Sequence, residues 1–117
     1  MSFTMETITR PEATVVALIG AADLSGVELF QREMTKLCAI KPARLVFDLS
    51  QLTVISSICM GTMTAYRRGC AGWNGTVALT APIPLVEQAL RRARLDMVFE
   101  MAPSVEAALH PSPSTTD

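Results

Sequence analysis

Histidine is nearly absent from this chain of 117 residues. The single one, His110, lies next to the carboxyl-terminal tail. The common nucleophilic sites pair a serine or cysteine with a histidine, so the rest of the chain offers none of them. The glycine-rich phosphate-binding patterns and the ligand spacings of zinc sites are missing as well. We therefore expect that the protein is not an enzyme and that it holds no cofactor and no metal.

The chain also lacks an excess of charge of either sign. It has 10 basic and 11 acidic residues, which leaves a formal net charge of -1. Duplex nucleic acids are usually bound through clustered lysine and arginine. The balance therefore argues against direct binding of nucleic acid, while a protein partner stays open.

Cysteines and long hydrophobic runs are few. The three cysteines are an odd number without a C-x-x-C pair, so we expect free thiols buried as small hydrophobes. The longest apolar stretch, at about residues 14–22, is too short to span a membrane. The first ten residues lack the basic and then apolar order of a signal peptide. These features predict a cytoplasmic protein without a membrane span.

Apolar residues alternate along the chain between the spacing of strands and that of helices. Strands are predicted at residues 3–9, 14–19, 44–48, 53–55, 76–80 and 97–101. Helices are predicted at about residues 25–40, 58–70, 84–93 and 104–109. Ser25 and Glu28 have the spacing of a capping box at the start of the first helix. In the third helix, the residues expected to be buried are Leu85, Val86, Ala89, Leu90 and Ala93.

This order predicts an α/β fold whose sheet has a parallel portion with right-handed crossovers. Residues 14–19, 44–48 and 76–80 are the most continuously apolar strands, so they should be central, and residues 3–9 should form an edge. The length fits one domain over residues 1–109. Residues 110–117 are rich in proline, serine and threonine and are expected to be disordered.

Residues 45–61, LVFDLSQLTVISSICMG, contain the most informative segment. An apolar strand and a second apolar burst are followed by Ser56 and Ser57, just ahead of a helix-forming run. A hydroxyl at this place can cap the helix. It can also carry a phosphate, because the free N–H groups and the dipole of a helix start favour an anion. The two serines therefore have a structural and a regulatory interpretation.

Residues 48–55, DLSQLTVI, resemble the motif D-L-S-x-L/V-x-F/V-I of the STAS domain found in anti-sigma factor antagonists. Residues 20–23, GAAD, are similar to the family's G-E-L-D before the first helix, and residues 85–109 resemble its carboxyl-terminal half. The resemblance is in register over about residues 5–109. It implies a STAS-type mixed β-sheet of four to five strands with helices packed mainly on one face.

The resemblance also implies a function without catalysis. Family members bind an anti-sigma factor, often one with the fold of a GHKL-type serine kinase, and so free a sigma factor. The family's phosphorylated serine maps to Ser57; its phosphorylation weakens partner binding, and a phosphatase restores it. Ser56, Ile58 and Cys59 replace three residues of the family's D-S-S-G, so Ser56 is an alternative acceptor, and a plain capping role for Ser57 stays open.

The turn after the second strand and the start of the second helix should meet at one end of the sheet. We expect the partner to contact Asp23, Ser56, Ser57, Met60 and Gly61 there, with Met60 as an adaptable apolar contact. The alternative function is a STAS scaffold without a switch, as a subunit of a stressosome-like or lipid-transport complex. A homodimer is also possible.

Overall fold

The computed structural model describes residues 2–110, in which five strands form one mixed sheet in the order β1-β2-β3-β4-β5. The strands are β1 (Phe3–Thr9), β2 (Thr14–Ala22), β3 (Arg44–Ile55), β4 (Thr76–Thr80) and β5 (Glu100–Ala102). β1 pairs antiparallel with β2, and the other three pairings are parallel. The predicted mixed sheet is confirmed, and the three strands expected to be central are its interior strands.

The described residues form four α-helices, which are α1 (Val27–Ile40), α2 (Ser57–Cys70), α3 (Pro84–Arg92) and α4 (Val105–Leu109). The first three connect successive parallel strands and pack on one face of the sheet, while α4 packs on the other face. None of the described helices is long and apolar enough to cross a membrane. Residues 111–117, most of the tail predicted to be disordered, lie outside the described residues.

The core has two parts because successive residues of a strand point to opposite faces. In β3, Leu45 and Phe47 join the main core under α1, α2 and α3. Val46, between them, packs with Ala108 and Leu109 of α4 in a smaller cluster. The middle of the sheet is thus covered on both faces, which explains why its central strands are continuously apolar in sequence.

Strand β3 differs from the prediction of two separate strands at residues 44–48 and 53–55. It is one strand of 12 residues, and its pairing with β2 shifts register twice. At each shift β3 contains one residue more than β2, which is the geometry of a β-bulge. At the first bulge the carboxylate of Asp48 accepts a hydrogen bond from the backbone N–H of Ser50, at 3.0 Å. The polar residues there interrupt the apolar pattern, not the strand.

The capping box predicted for α1 is not formed. Asp23 begins a 3-10 turn ahead of the helix, and its carboxylate accepts bonds from the backbone N–H of Ser25 at 3.0 Å and from its hydroxyl at 2.6 Å. The hydroxyl of Ser25 thus donates to a nearby carboxylate. The helix ends at Ile40, as predicted, with Lys41 in the left-handed conformation before Pro42.

Two predictions of burial are wrong in part. Cys59 and Cys70 are buried, but Cys38 is exposed. In α3, Val86 and Leu90 are one helical turn apart and face the core, and Ala89 is half-buried against it. Ala93, just past the end of the helix, is exposed, and Leu85 is 61% exposed. A residue next to a buried one is rotated by about 100° around the helix axis, which takes Leu85 off the buried face.

Candidate functional site

The carboxyl ends of β2 and β3 lie side by side at one end of the sheet. Ala22, the last residue of β2, pairs with Ile55, the last residue of β3. The backbone N–H of Ser56 then donates to the carbonyl of Ala22 at 2.8 Å. This bond joins the turn after β2 to the start of α2, so residues far apart in sequence meet there.

Ser56 is the residue that caps α2. Its backbone is extended, and its Oγ accepts a hydrogen bond from the backbone N–H of Cys59 at 3.2 Å. Ser57 is the first residue of the helix and is exposed. Within residues 2–110 its hydroxyl makes no hydrogen bond. The two serines therefore have different roles, because one is committed to the helix and the other is not.

The start of α2 has the electrostatic character that suits an anion. Its first turn contains no acidic residue that would repel an anion. Arg67 and Arg68 lie at the opposite end of the helix, in its last turn. Backbone N–H groups at a helix start carry partial positive charge, worth about 0.3–1 kcal/mol to a nearby anion. A negative group on the exposed Ser57 hydroxyl would therefore be tolerated by the helix itself.

Asp23 lies half-buried in the turn after β2. The hydrogen bond from the hydroxyl of Ser25 is the main cause that lowers the pKa of this carboxyl. Asp23 is thus ionised at neutral pH and engaged by its own turn. It brings a fixed negative charge to this end of the sheet.

Met60 and Gly61 come next along α2, directly after Cys59. Met60 is half-buried and packs against the main core, so only part of its side chain is at the surface. Gly61 is exposed, and a Cβ built on it would meet no atom within 4 Å. The fold of the domain therefore does not require a glycine at this position.

Residues 4–108 match the family model described as the STAS domain. The chain belongs to the STAS domain family. An anti-sigma factor antagonist from Mycobacterium paratuberculosis has a similar structure, at 22% identity over 92% of both chains, with a TM-score of 0.84. A putative anti-sigma factor antagonist from Thermotoga maritima, at 18% identity over 91% of this chain and 92% of that one, gives 0.78.

The phosphorylated form of the Bacillus cell fate determinant SpoIIAA is a third similar structure. It is 20% identical over 96% of this chain and 100% of that one, with a TM-score of 0.69. No curated protein sequence matches the chain. At these identities the likeness establishes that the STAS fold is shared.

Exposed apolar side chains also lie on the elements that meet at this end of the STAS domain, and the sequence pattern did not predict their exposure. Leu24 is 74% exposed, Ile58 45% and Val54 43%. Together with Leu85 they lie on elements that begin or end at the same end of the sheet, and a groove of about 220 Å³ separates Val54 from Leu85. Clustered exposed apolar residues are typical of a protein-binding surface. We call these four residues the apolar rim.

The sequence contained only a weak signal for this rim. Leu24 follows Asp23 in a polar turn, and Ile58 is next to the exposed Ser57 in the first turn of α2, ahead of the buried Cys59. Apolar residues at such places are individually unremarkable on a protein surface. The parallel pairing of β2 and β3 brings the elements that carry these residues to one end of the sheet, as predicted, but the exposure of each side chain depends on local rotation that the residue types do not specify.

Proposed function

We propose that this STAS domain is a cytoplasmic, non-catalytic regulator that acts as an anti-sigma factor antagonist. Its partner is an anti-sigma factor of the serine-kinase type, and phosphorylation of Ser57 switches the interaction off. The observation that carries the proposal is the exposed, uncommitted hydroxyl of Ser57 at the first position of α2. The likeness of the fold supports the proposal as well, since the similar structures include anti-sigma factor antagonists and the phosphorylated form of one protein.

The division of roles between the two serines allows a reversible modification. Ser56 keeps the cap through its bond to Cys59, so α2 does not depend on the hydroxyl of Ser57. A phosphate on Ser57 adds about -1.5 to -2 charges at pH 7. Because that charge would lie at the positive end of α2, the folded state loses little stability.

Release of the partner follows from desolvation. Ile58 is the next residue, and Leu24 belongs to the same apolar rim, so a partner that covers the rim also covers Ser57. Covering a neutral hydroxyl costs little, whereas burying an unpaired charge against apolar groups is expensive. The modification would thus weaken binding without unfolding the domain, and a phosphatase would restore it.

Ser56 is the less suitable acceptor on structural grounds. It is half-buried, and its Oγ already accepts the N–H of Cys59. Phosphorylation there would put a charged group on the atom that caps the helix. Ser57 is exposed and does not cap the helix, so neither objection applies to it. The proposed contact surface around Ser57 is completed by Asp23, Met60 and Gly61.

The proposal is tested by binding experiments with the partner that the immobilised domain captures from cells. Calorimetry would then compare the wild type with Ser57→Ala and Ser57→Asp. We expect Ser57→Ala to bind as the wild type does and Ser57→Asp to lose at least tenfold in affinity. Thermal unfolding of all three proteins is the control for folding.

The alternative is a STAS scaffold without a switch, in a stressosome-like or lipid-transport assembly. The exposed Ile58 and the buried Cys59 favour it, because they replace the second serine and the glycine in the family motif and so change the surface that a kinase would recognise. Equal affinities for the wild type, Ser57→Ala and Ser57→Asp would support the scaffold and overturn the switch.

A further inference from the structure

Within the described chain, the last part of β3 has a neighbouring strand on one side only. β4 pairs with β3 no further than Asp48, whereas β2 continues beside β3 to Ile55. β4 ends at Thr80, and the next residue, Ala81, has a left-handed backbone with a φ of 56°, which turns the chain out of the strand direction. Residues 49–55 therefore have an open edge in the space beyond the end of β4.

The backbone offers a hydrogen-bond acceptor at this edge. The N–H of Ser56 donates to the carbonyl of Ala22 in β2. The carbonyl of Ile55 belongs to the same trans peptide unit, so it points the opposite way, toward the open edge. No N–H of the described backbone donates to it from that side. Unpaired groups at the edge of a sheet are a template for pairing with another chain.

A groove of about 220 Å³ runs between the open edge and α3. Val54 of β3 and Leu85 of α3, both members of the apolar rim, belong to its lining. Along α3 the lining continues from Leu85 through Ala89 to Arg92, which is about 10 Å at the rise of a helix. That length corresponds to about three residues of an extended chain, so the groove fits a short stretch of strand.

One end of the groove carries a positive charge. Among the described residues that line the groove, Arg92 alone is charged. The neighbouring Arg91 forms ion pairs with Glu87 at 2.7 Å and with Asp96 at 3.6 Å. No carboxylate in residues 2–110 forms such a pair with Arg92. Its guanidinium is therefore available to a carboxylate from outside the domain.

The other polar side chains of the lining do not select a charge. The hydroxyl of Thr53 donates to the carbonyl of Gly20 at 3.0 Å. Gln88 is exposed, and its amide can both donate and accept a hydrogen bond. The groove thus combines apolar walls with one cation, which is complementary to an apolar side chain next to an acidic one.

We propose that an extended segment of a protein partner adds to the open edge of β3 as a further strand. It would place an apolar side chain in the groove and a carboxylate two residues away on Arg92, since residues i and i+2 of a strand share a face about 7 Å apart. Strand addition gains affinity from main-chain hydrogen bonds and specificity from pockets for alternate side chains. The inference rests on the proposed function for the source of this segment, because Val54 and Leu85 belong to the rim that the partner covers.

The test uses a synthetic peptide with leucine at its centre and aspartate two residues away on either side, acetyl-Thr-Asp-Thr-Leu-Thr-Asp-Thr-amide. Either strand direction then brings a carboxylate toward Arg92. The peptide is titrated into the full chain, and NMR should show shifts at residues 53–55 and 85–92 and cross-strand Overhauser contacts from the peptide backbone to residues 53–55. No shifts at residues 53–55 with millimolar peptide, or contacts to α3 alone, would overturn the proposal.

Two altered peptides separate the charge from the apolar contact. Asparagine in place of both aspartates should weaken binding about threefold, as expected for an exposed ion pair, and this difference should vanish in about 1 M salt. Alanine in place of leucine should weaken binding about tenfold through the loss of buried apolar area. If either altered peptide binds the wild type as tightly as the parent peptide does, the proposed recognition is wrong.

Arg92→Gln and Arg68→Gln are the matched protein variants, because each removes one exposed arginine from a helix. Arg92→Gln should bind the aspartate and asparagine peptides equally, while Arg68→Gln should keep the preference for aspartate. A preference kept by Arg92→Gln, or lost in Arg68→Gln, would contradict the role of Arg92. The experiment needs neither the captured partner nor a phosphate, so its failure leaves the Ser57 variants to decide the proposed function separately.

Discussion

A side chain added at Gly61 should separate partner binding from folding. In the structure a Cβ at Gly61 meets no atom within 4 Å, and the same is true of Gly69 in the same helix. Both glycines are exposed and helical, but Gly61 is beside the proposed contact surface and Gly69 is near the other end of α2. The pair Gly61→Gln and Gly69→Gln is therefore a matched comparison.

The expected stability change is the same for both variants. Glycine is about 1 kcal/mol less favourable than alanine inside a helix, and glutamine is nearly as favourable as alanine. Each variant should therefore be more stable by up to about 1 kcal/mol, or about 4 °C in the unfolding midpoint of a domain of this size. Thermal unfolding followed by circular dichroism measures this directly.

The expected binding change differs between them. A glutamine side chain at position 61 projects into the space that a bound partner would fill, so affinity should fall at least tenfold, about 1.4 kcal/mol. Gly69→Gln should bind as the wild type does in calorimetry with the captured partner. Equal affinities for both variants would refute the placement of the partner at the start of α2. A fall in the stability of either variant would contradict the absence of neighbouring atoms at that glycine.

Three further substitutions test separate parts of the account. Ser56→Ala should lower the free energy of unfolding by about 1 kcal/mol through loss of the cap, whereas Ser57→Ala should leave it nearly unchanged; the reverse order in urea unfolding would give the cap to Ser57. Ile58→Asp should weaken partner capture in calorimetry without lowering the melting temperature, because Ile58 is 45% exposed; retained affinity would remove it from the interface. Arg44→Met should cost about 2 kcal/mol in urea unfolding, since it removes two part-buried bonds to the carbonyl of Ala108, at 3.0 and 2.8 Å, as well as the more exposed pair at 3.1 and 2.6 Å to Glu100; an unchanged midpoint would show that the Arg44 guanidinium adds nothing to stability.

The sheet was predictable because burial on both faces leaves a strong signal in sequence. Residues 14–19, 44–48 and 76–80 are continuously apolar, and all three are interior strands. The unity of β3 was not predictable, because its bulges put polar residues in the middle of a strand. Periodicity records which residues are buried, and a bulge changes the register without ending the ladder.

The helix starts show a different limit. Asp23 and Ser25 both offer a capping oxygen, and residue spacing alone favoured a box between Ser25 and Glu28. In the structure the carboxylate of Asp23 binds Ser25 instead. At α2 the sequence identified two serines, but which of them caps the helix depends on the backbone angles of Ser56. Such choices differ by about 1 kcal/mol or less, which is below what residue types decide.

The apolar rim was hidden for another reason. An apolar residue in a periodic pattern is assigned to the core by default, which wrongly predicts burial of Leu85. Exposure of Leu85 and Leu24 follows from the exact rotation of α3 and from the 3-10 turn after Asp23. Neither is encoded in the hydrophobic period, although both affect the proposed partner surface.

The most direct test of the central claim is to map the phosphate. The captured kinase-type partner would be incubated with Mg²⁺ and ATP together with the wild-type domain, and the phosphopeptides would be sequenced by mass spectrometry. We predict phosphate on Ser57, none on Ser57→Ala, and calorimetric affinity of the modified domain at least tenfold below that of the unmodified one. A domain left unmodified, phosphate confined to Ser56, or unchanged affinity after modification of Ser57 would contradict the switch.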